Sequence, residues 1–285
     1  MGRIKGAISR RADTRGVFLA VVMAVTLCLA GCAGLPVATD DGKEMEKILS
    51  ATQGADVLFV GEVHDRRSHH QLQLDIIKAL HGRKVPLAIG LEMFDVESQE
   101  TLDLWRRGKL ELSNFIDRYR QSWTIDWTSY DEMLLYARNN AIPLIALNVP
   151  DDIITRIAHD GIGSLRPKDL SRLPAGVNAT MGDSYRGFLR EAFASHGMRE
   201  EAFAAFCDAQ GVRNSTMALR IASWLSREPG TTMVVITGVG HAMRRAVPTV
   251  LAGISKLRTK VIIPVTNDSL PGGVEERDAD LFVVP

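Results

Sequence analysis

Six short apolar runs, most of them rich in β-branched residues, recur between longer segments of helical period, at 57–61, 87–91, 143–148, 233–238, 261–265 and 281–284. A sheet with one wet face interleaves polar residues along each strand, and these runs do not. Strands apolar on both faces require a parallel sheet with helices packed on each side, joined by long crossovers. The expected fold is therefore α/β, a mostly parallel sheet flanked by helices in three layers.

Over 80 residues separate the third run from the fourth, far more than one crossover needs. Apolar residues there return at helical spacing, with Gly197 and Pro229 as breaks, which predicts an inserted helical subdomain over about 165–228. A smaller helical excursion, 96–140, carries Trp105, Trp123 and Trp127. Of 285 residues, 46% are hydrophobic and 24% charged, so neither a disordered chain nor a polytopic membrane protein is indicated. The main domain is expected to span 56–285.

The first 31 residues stand apart from this pattern. Arg3, Lys5, Arg10, Arg11 and Arg15 precede an uncharged apolar stretch of 14 residues, 17–30, which is short for a membrane span and has the form of a signal peptide. It ends in "LAGC", residues 29–32, the pattern of a lipobox, so Cys32 is the expected lipidation site, acylated with palmitate among its chains. Residues 32–55 would then form a tether and first helix. Ala33, in place of an aspartate, favours sorting to the outer membrane, facing the periplasm. Cleavage removes five basic residues and one acidic from a balanced 34 and 34, leaving about −4, with no electrostatic reason to expect nucleic acid. Only Cys207 remains as a thiol beyond Cys32; its helical surroundings predict a buried, inert group.

Two of the strand runs end alike. "LFVGEVHD" (58–65) and "VVITGVGHA" (234–242) each close on a glycine, two residues and a histidine. In an open parallel sheet the carboxyl ends of the strands are where loops converge on a ligand. That edge would receive Glu62 and His64 from the first run, Glu92 from "GLEMF", Asn148 from "LNVP" and His241 from the fourth. Glu62, His64, Glu92 and His241 can hold a divalent metal such as Mn, Co or Zn. They can equally act as base and orienting partner without one, or simply close the sheet edge with a polar cluster. Spacing does not choose among the three. His69 and His70 start a helix that Ser68 or Asp65 would cap; either can face the cleft, with a solvated position the first expectation. His81, His159 and His196 end helices, as cations favour. Arg66, Arg67, Arg244 and Arg245 flank the two histidine motifs, as partners for carboxylates or phosphates or as solvated surface.

Together "GEVHD", "GLEMF", "LNVP", "AQGVRNSTMA" and "GVGHAMR" resemble the ChaN family of haem-binding lipoproteins within the Tiki, TraB and erythromycin-esterase superfamily. The resemblance covers essentially the whole domain from Asp56 onward. It implies a haem-binding envelope lipoprotein assisting haem or iron uptake, pairing as a homodimer around haem with tyrosine on the iron, and serving an outer-membrane haem receptor. The other branches imply a divalent-metal-dependent hydrolase or peptidase, or metal-free lactone hydrolysis, through the paired histidines and glutamates. Of four tyrosines, Tyr130 in the aromatic excursion is the first choice for the iron and Tyr185 the second, while Tyr119 and Tyr136 fall where side chains pack. Arg66, Arg67, Arg244 and His241 are the expected partners of the haem propionates.

Overall fold

The apolar runs form strands where both of their faces find cover. The protein is described by a computed structural model covering residues 40–195, 200–265 and 270–285. Its strands are β1 (Val57–Glu62), β2 (Leu87–Asp95), β3 (Leu144–Asn148), β4 (Thr232–Gly238), β5 (Thr259–Pro264) and β6 (Leu281–Val283). All pair in parallel, in the order β3-β2-β4-β1-β5-β6. The α/β expectation therefore holds, with β2 running past Leu91 to Asp95 through a register irregularity.

Helices fill the connections: α1 (Asp40–Ala51), α2 (Arg67–Gly82), α3 (Gln99–Arg106), α4 (Leu112–Ser122) and α5 (Asp131–Asn139) in the first half. Then come α6 (Asp151–Asp160), α7 (Pro167–Leu170), α8 (Asp183–Ser195), α9 (Phe203–Leu225), α10 (Val239–Ala242) and α11 (Val247–Ile254). Alternate strand residues serve opposite cores. Leu58, Val60, Ile89 and Ile236 join Ile76, Leu102, Trp105 and Phe115 on one face. Val57, Phe59, Val235 and Ile263 join Leu189, Met217, Ile221 and Leu251 on the other. Within the aromatic excursion Trp105 stacks on Phe115 at 4.1 Å. The inserted helices between β3 and β4 build a smaller cluster around Ile153, Ile157 and Val212.

The exposed edge of β3 is masked by side chains. Gln99 donates to the Leu144 carbonyl at 2.9 Å and accepts from the Ala146 N–H at 3.0 Å, and Arg220 donates to the Ala146 carbonyl. A glutamine thereby imitates the next strand and blocks edge pairing. The expected signal peptide, Cys32 and most of the tether lie outside the described residues, as does His196; α1 begins at Asp40, inside the segment expected as tether. Among the described residues no helix is long and apolar enough to cross a membrane.

Strand order fixes where a site can form. From β1 the chain crosses β4 by way of α2 to reach β2, whereas from β4 it crosses β1 in the opposite direction to reach β5. The crossovers thus diverge at the β1/β4 boundary, where Glu62 lies in register with Gly238. That boundary is a topological switch point, which leaves a crevice at the strand ends.

Candidate functional site

Glu62 ends β1 and is buried to 2% exposure. A carboxylate there is tolerable only if its lone pairs are filled. One oxygen accepts from the Tyr130 hydroxyl and from His64 Nδ1 at 2.8 Å; the other accepts from Gln73 Nε2 at 2.8 Å. Gln73 also donates to the Val60 carbonyl. His70 Nε2 stands 3.7 Å from the second oxygen, its ring 4.3 Å from that of Tyr130.

Glu92, on the continuation of β2, is equally buried. Its Oε2 accepts from the Thr237 hydroxyl at 2.5 Å and the Gly238 N–H at 2.7 Å, and Oε1 faces His241 Nε2 at 3.5 Å. His241 donates from Nδ1 to Asn214 Oδ1 at 2.6 Å, and Asn214 in turn meets the Tyr185 hydroxyl. Asn148 ties the loop by donating to the Glu92 carbonyl. His64 crosses between the two groups. Its ring lies over Gly238, where a Cβ would come within 2.9 Å of Cε1 and 3.0 Å of Nε2, so any side chain at the strand end would displace the His64 ring.

The four expected site residues do converge, yet as two separate pairs, Glu62 with His64 and Glu92 with His241. Among the described residues no group of three or more His, Cys, Asp or Glu is placed to hold one ion. The carboxylate oxygens are engaged by Tyr130, Gln73, Thr237 and the Gly238 amide, an arrangement that lends the four-residue set expected for Mn, Co or Zn no support. Tyr130 and Tyr185 are buried to 1% exposure, with hydroxyls turned inward to Glu62 and Asn214. Tyr119 donates to the Ile125 carbonyl and Tyr136 bonds His81. All four phenols therefore have internal partners.

Arg66 and Arg67 are exposed beside Asp65 and Glu132, and Arg244 pairs with Asp280 at 2.9 Å. His69 and His70, expected in solvent, are buried instead. The Val63 N–H donates to His69 Nδ1 at 3.0 Å, folding the loop after β1 under α2; the helix N-cap is Arg66, with no side-chain cap from Ser68 or Asp65. Sequence reasoning missed Gln73, Thr237 and Asn214 as members of the network. The last had a signal: "RNST" (213–216) interrupts an otherwise apolar helix with polar residues, three of which are buried. Cys207 is buried on α9, and burial pushes its thiol up.

Burial pulls His241, His70 and His69 below the usual imidazole range, against the opposing charge of nearby glutamates. At His64 burial pulls the same way, but the Glu62 hydrogen bond and the charges of Glu92 and Glu62 prevail and raise it. Burial would raise Glu92, yet the charges of His241 and His64 and its two hydrogen bonds hold it low. The three lowered imidazoles contribute stability above about pH 6.5 that is lost as pH falls through their folded values; raised His64 contributes below about pH 6.5 and loses it as pH rises. Three against one, the melting temperature is expected to fall on acidification from pH 7 to 5. Thermal unfolding across that window checks it, and a flat or rising profile contradicts the assignment.

The family described as haem-binding uptake, Tiki superfamily, ChaN matches residues 48–251. Among solved structures, ChaN of Campylobacter jejuni, described with cofacial haem binding, superposes with a TM-score of 0.62 at 18% identity, covering 83% of this chain and 90% of that one. A mutant of the erythromycin esterase EreC in its open conformation gives 0.50 at 13% identity, over 78% and 72%. Among curated proteins, the chloroplastic RETICULATA-RELATED 5 of Arabidopsis thaliana is 25% identical over 228 residues; the match takes in 74% of this chain and 30% of that protein's length. With the match spanning both histidine motifs and four of the six strands, the chain belongs to the haem-binding uptake family of the Tiki superfamily, that of ChaN.

Proposed function

We propose that this protein binds haem at the mouth between β1 and β4 and serves haem or iron uptake from a lipid-anchored position in the cell envelope. Membership of the haem-binding uptake family carries the reading. Bound haem would supply an iron that seeks an axial donor and a flat apolar ring bearing two propionates. The donor set of the mouth fits such a group. His64 is 39% exposed at its side chain, its Nε2 has no hydrogen-bond partner among the described residues, and Trp123 stands edge-on at 5.1 Å. Glu62 holds Nδ1 and so fixes the tautomer that leaves Nε2 available, the usual outer support of a metal-bound imidazole. His64 is thus the residue we assign to the iron, ahead of the internally bonded tyrosines. Acylation at Cys32, outer-membrane placement, pairing of two copies around haem and delivery to a receptor complete the proposal.

Titrating haemin into the lipid-free domain is expected to shift and sharpen the Soret band. His64→Ala should weaken binding at least about tenfold, whereas Tyr130→Phe should leave the ligand-sensitive bands in place. No spectral change with the unaltered domain would end the haem reading. Loss of the band in Tyr130→Phe alone would return the iron to tyrosine.

A further inference from the structure

We propose that Arg213 is the anion-recognition residue of this site, taking a carboxylate of the bound ligand. It sits on α9 immediately before Asn214, the residue that orients His241. It is half-buried, and among the described residues it has neither a hydrogen bond nor an ion pair. Asn214 bonds His241 at 2.6 Å, so the turn of α9 that carries Arg213 adjoins the mouth, and the Arg213 charge acts on His64, His241 and Tyr185.

The arginines beside the two histidine motifs already face carboxylates. Arg66 and Arg67 stand beside Asp65 and Glu132, Arg244 binds Asp280, and Arg245 binds Glu275 and Asp278. Arg172 bridges Glu97 and Asp152. The carboxylates of the site itself do not neutralise Arg213, because Glu62 and Glu92 are occupied by hydroxyl, amide and imidazole donors. A half-buried arginine with no anion beside it has its donors free for a ligand. Its planar fork of donors suits a carboxylate gripped by two parallel hydrogen bonds. Resting on the haem reading above, that carboxylate is a propionate, held by Arg213 while His64 faces the iron. The propionate partner is thereby moved from Arg66, Arg67 and Arg244 to a residue inside the "AQGVRNSTMA" segment.

The test compares haemin with haemin dimethyl ester, whose propionates cannot pair with an arginine. The unaltered protein is expected to prefer the free acid by ten- to a hundredfold, the worth of a charge-assisted hydrogen-bonded pair. Arg213→Gln should bring haemin down to the affinity of the ester, and Arg213→Lys should recover part of the preference without the two-pronged grip. Matching circular dichroism and melting temperature for the variants establish that the fold is kept. An undiminished preference in Arg213→Gln overturns the proposal. A second measurement separates it from the haem reading: propanoate is added while the histidine Cε1–H resonances are followed by NMR. Shifts in the unaltered protein that vanish in Arg213→Gln support the anion site even where haemin fails to bind. Absence of such shifts, together with equal binding of haemin and ester, eliminates it.

Discussion

Glu62→Ala is expected to destabilise the protein by roughly 3–5 kcal/mol and to lower its melting temperature by on the order of 10 °C. The reason is what remains. Tyr130, Gln73 and His64 would each keep a donor pointing into a hole from which the acceptor has gone. A stranded buried donor costs about 1–3 kcal/mol; Tyr130 bears this in full, whereas Gln73 keeps the Val60 carbonyl and His64 reaches solvent. Recovering the desolvation of the carboxylate offsets part of that sum, which sets the expectation below three full penalties. Tyr130 shows how firmly the pair is locked: burial and the Glu62 charge push its phenol far above the ordinary range, so it remains a donor at any working pH. Two variants make the argument specific. Glu62→Gln keeps an acceptor and should cost less than half as much. Adding Tyr130→Phe to Glu62→Ala removes one stranded hydroxyl and should restore stability relative to Glu62→Ala alone, a coupling that additive effects would not give. A melting temperature for Glu62→Ala within about 2 °C of the parent would mean that Glu62 is not the acceptor at the centre of this network.

How much of this network could be read from residue order follows from the range of the interactions. Strands were legible because both-face burial leaves an uninterrupted apolar run, and the histidine motifs because they end two such runs. The loop after β1 was not. His69 and His70 look like the polar start of an amphipathic helix, but the Val63 N–H reaches His69 and turns that face of α2 inward, where His70 meets Tyr130. The tie between Glu62 and Tyr130 spans 68 residues, and that between Glu92 and Thr237 spans 145. Pairings of that range depend on strand order, and the β3-β2-β4-β1-β5-β6 arrangement has no local signature. The arginines illustrate the same point. Arg66, Arg67 and Arg244 stood out by lying beside a motif, while Arg213 lies far along the chain on α9, whose Asn214 reaches His241.

That packing can be challenged at one atom. Gly211 lies on α9 two residues before Arg213, and a Cβ there would sit 2.5 Å from the Ala179 carbonyl oxygen and 2.8 Å from its C and Cα. In an open helix Gly→Ala gains about 1 kcal/mol in propensity. Here the obstacle is backbone, which cannot swing aside as a long side chain can, and overpacking costs typically 1–3 kcal/mol or more. The helix and the segment beneath it must part, loosening the bond from the Asn178 N–H to Ser215 at 3.2 Å and carrying Arg213 and Asn214 with the helix. Gly211→Ala is therefore expected to destabilise by roughly 2–4 kcal/mol in equilibrium unfolding, and to weaken haemin binding in the molecules that remain folded. Gly187→Ala on α8 is the matched control, since nothing lies within 4 Å of its Cβ position; it should stabilise by about 0.5–1 kcal/mol. Equal stability of the two variants would show that α9 does not rest on Ala179, and the placement of Asn214 behind His241 would lose its support.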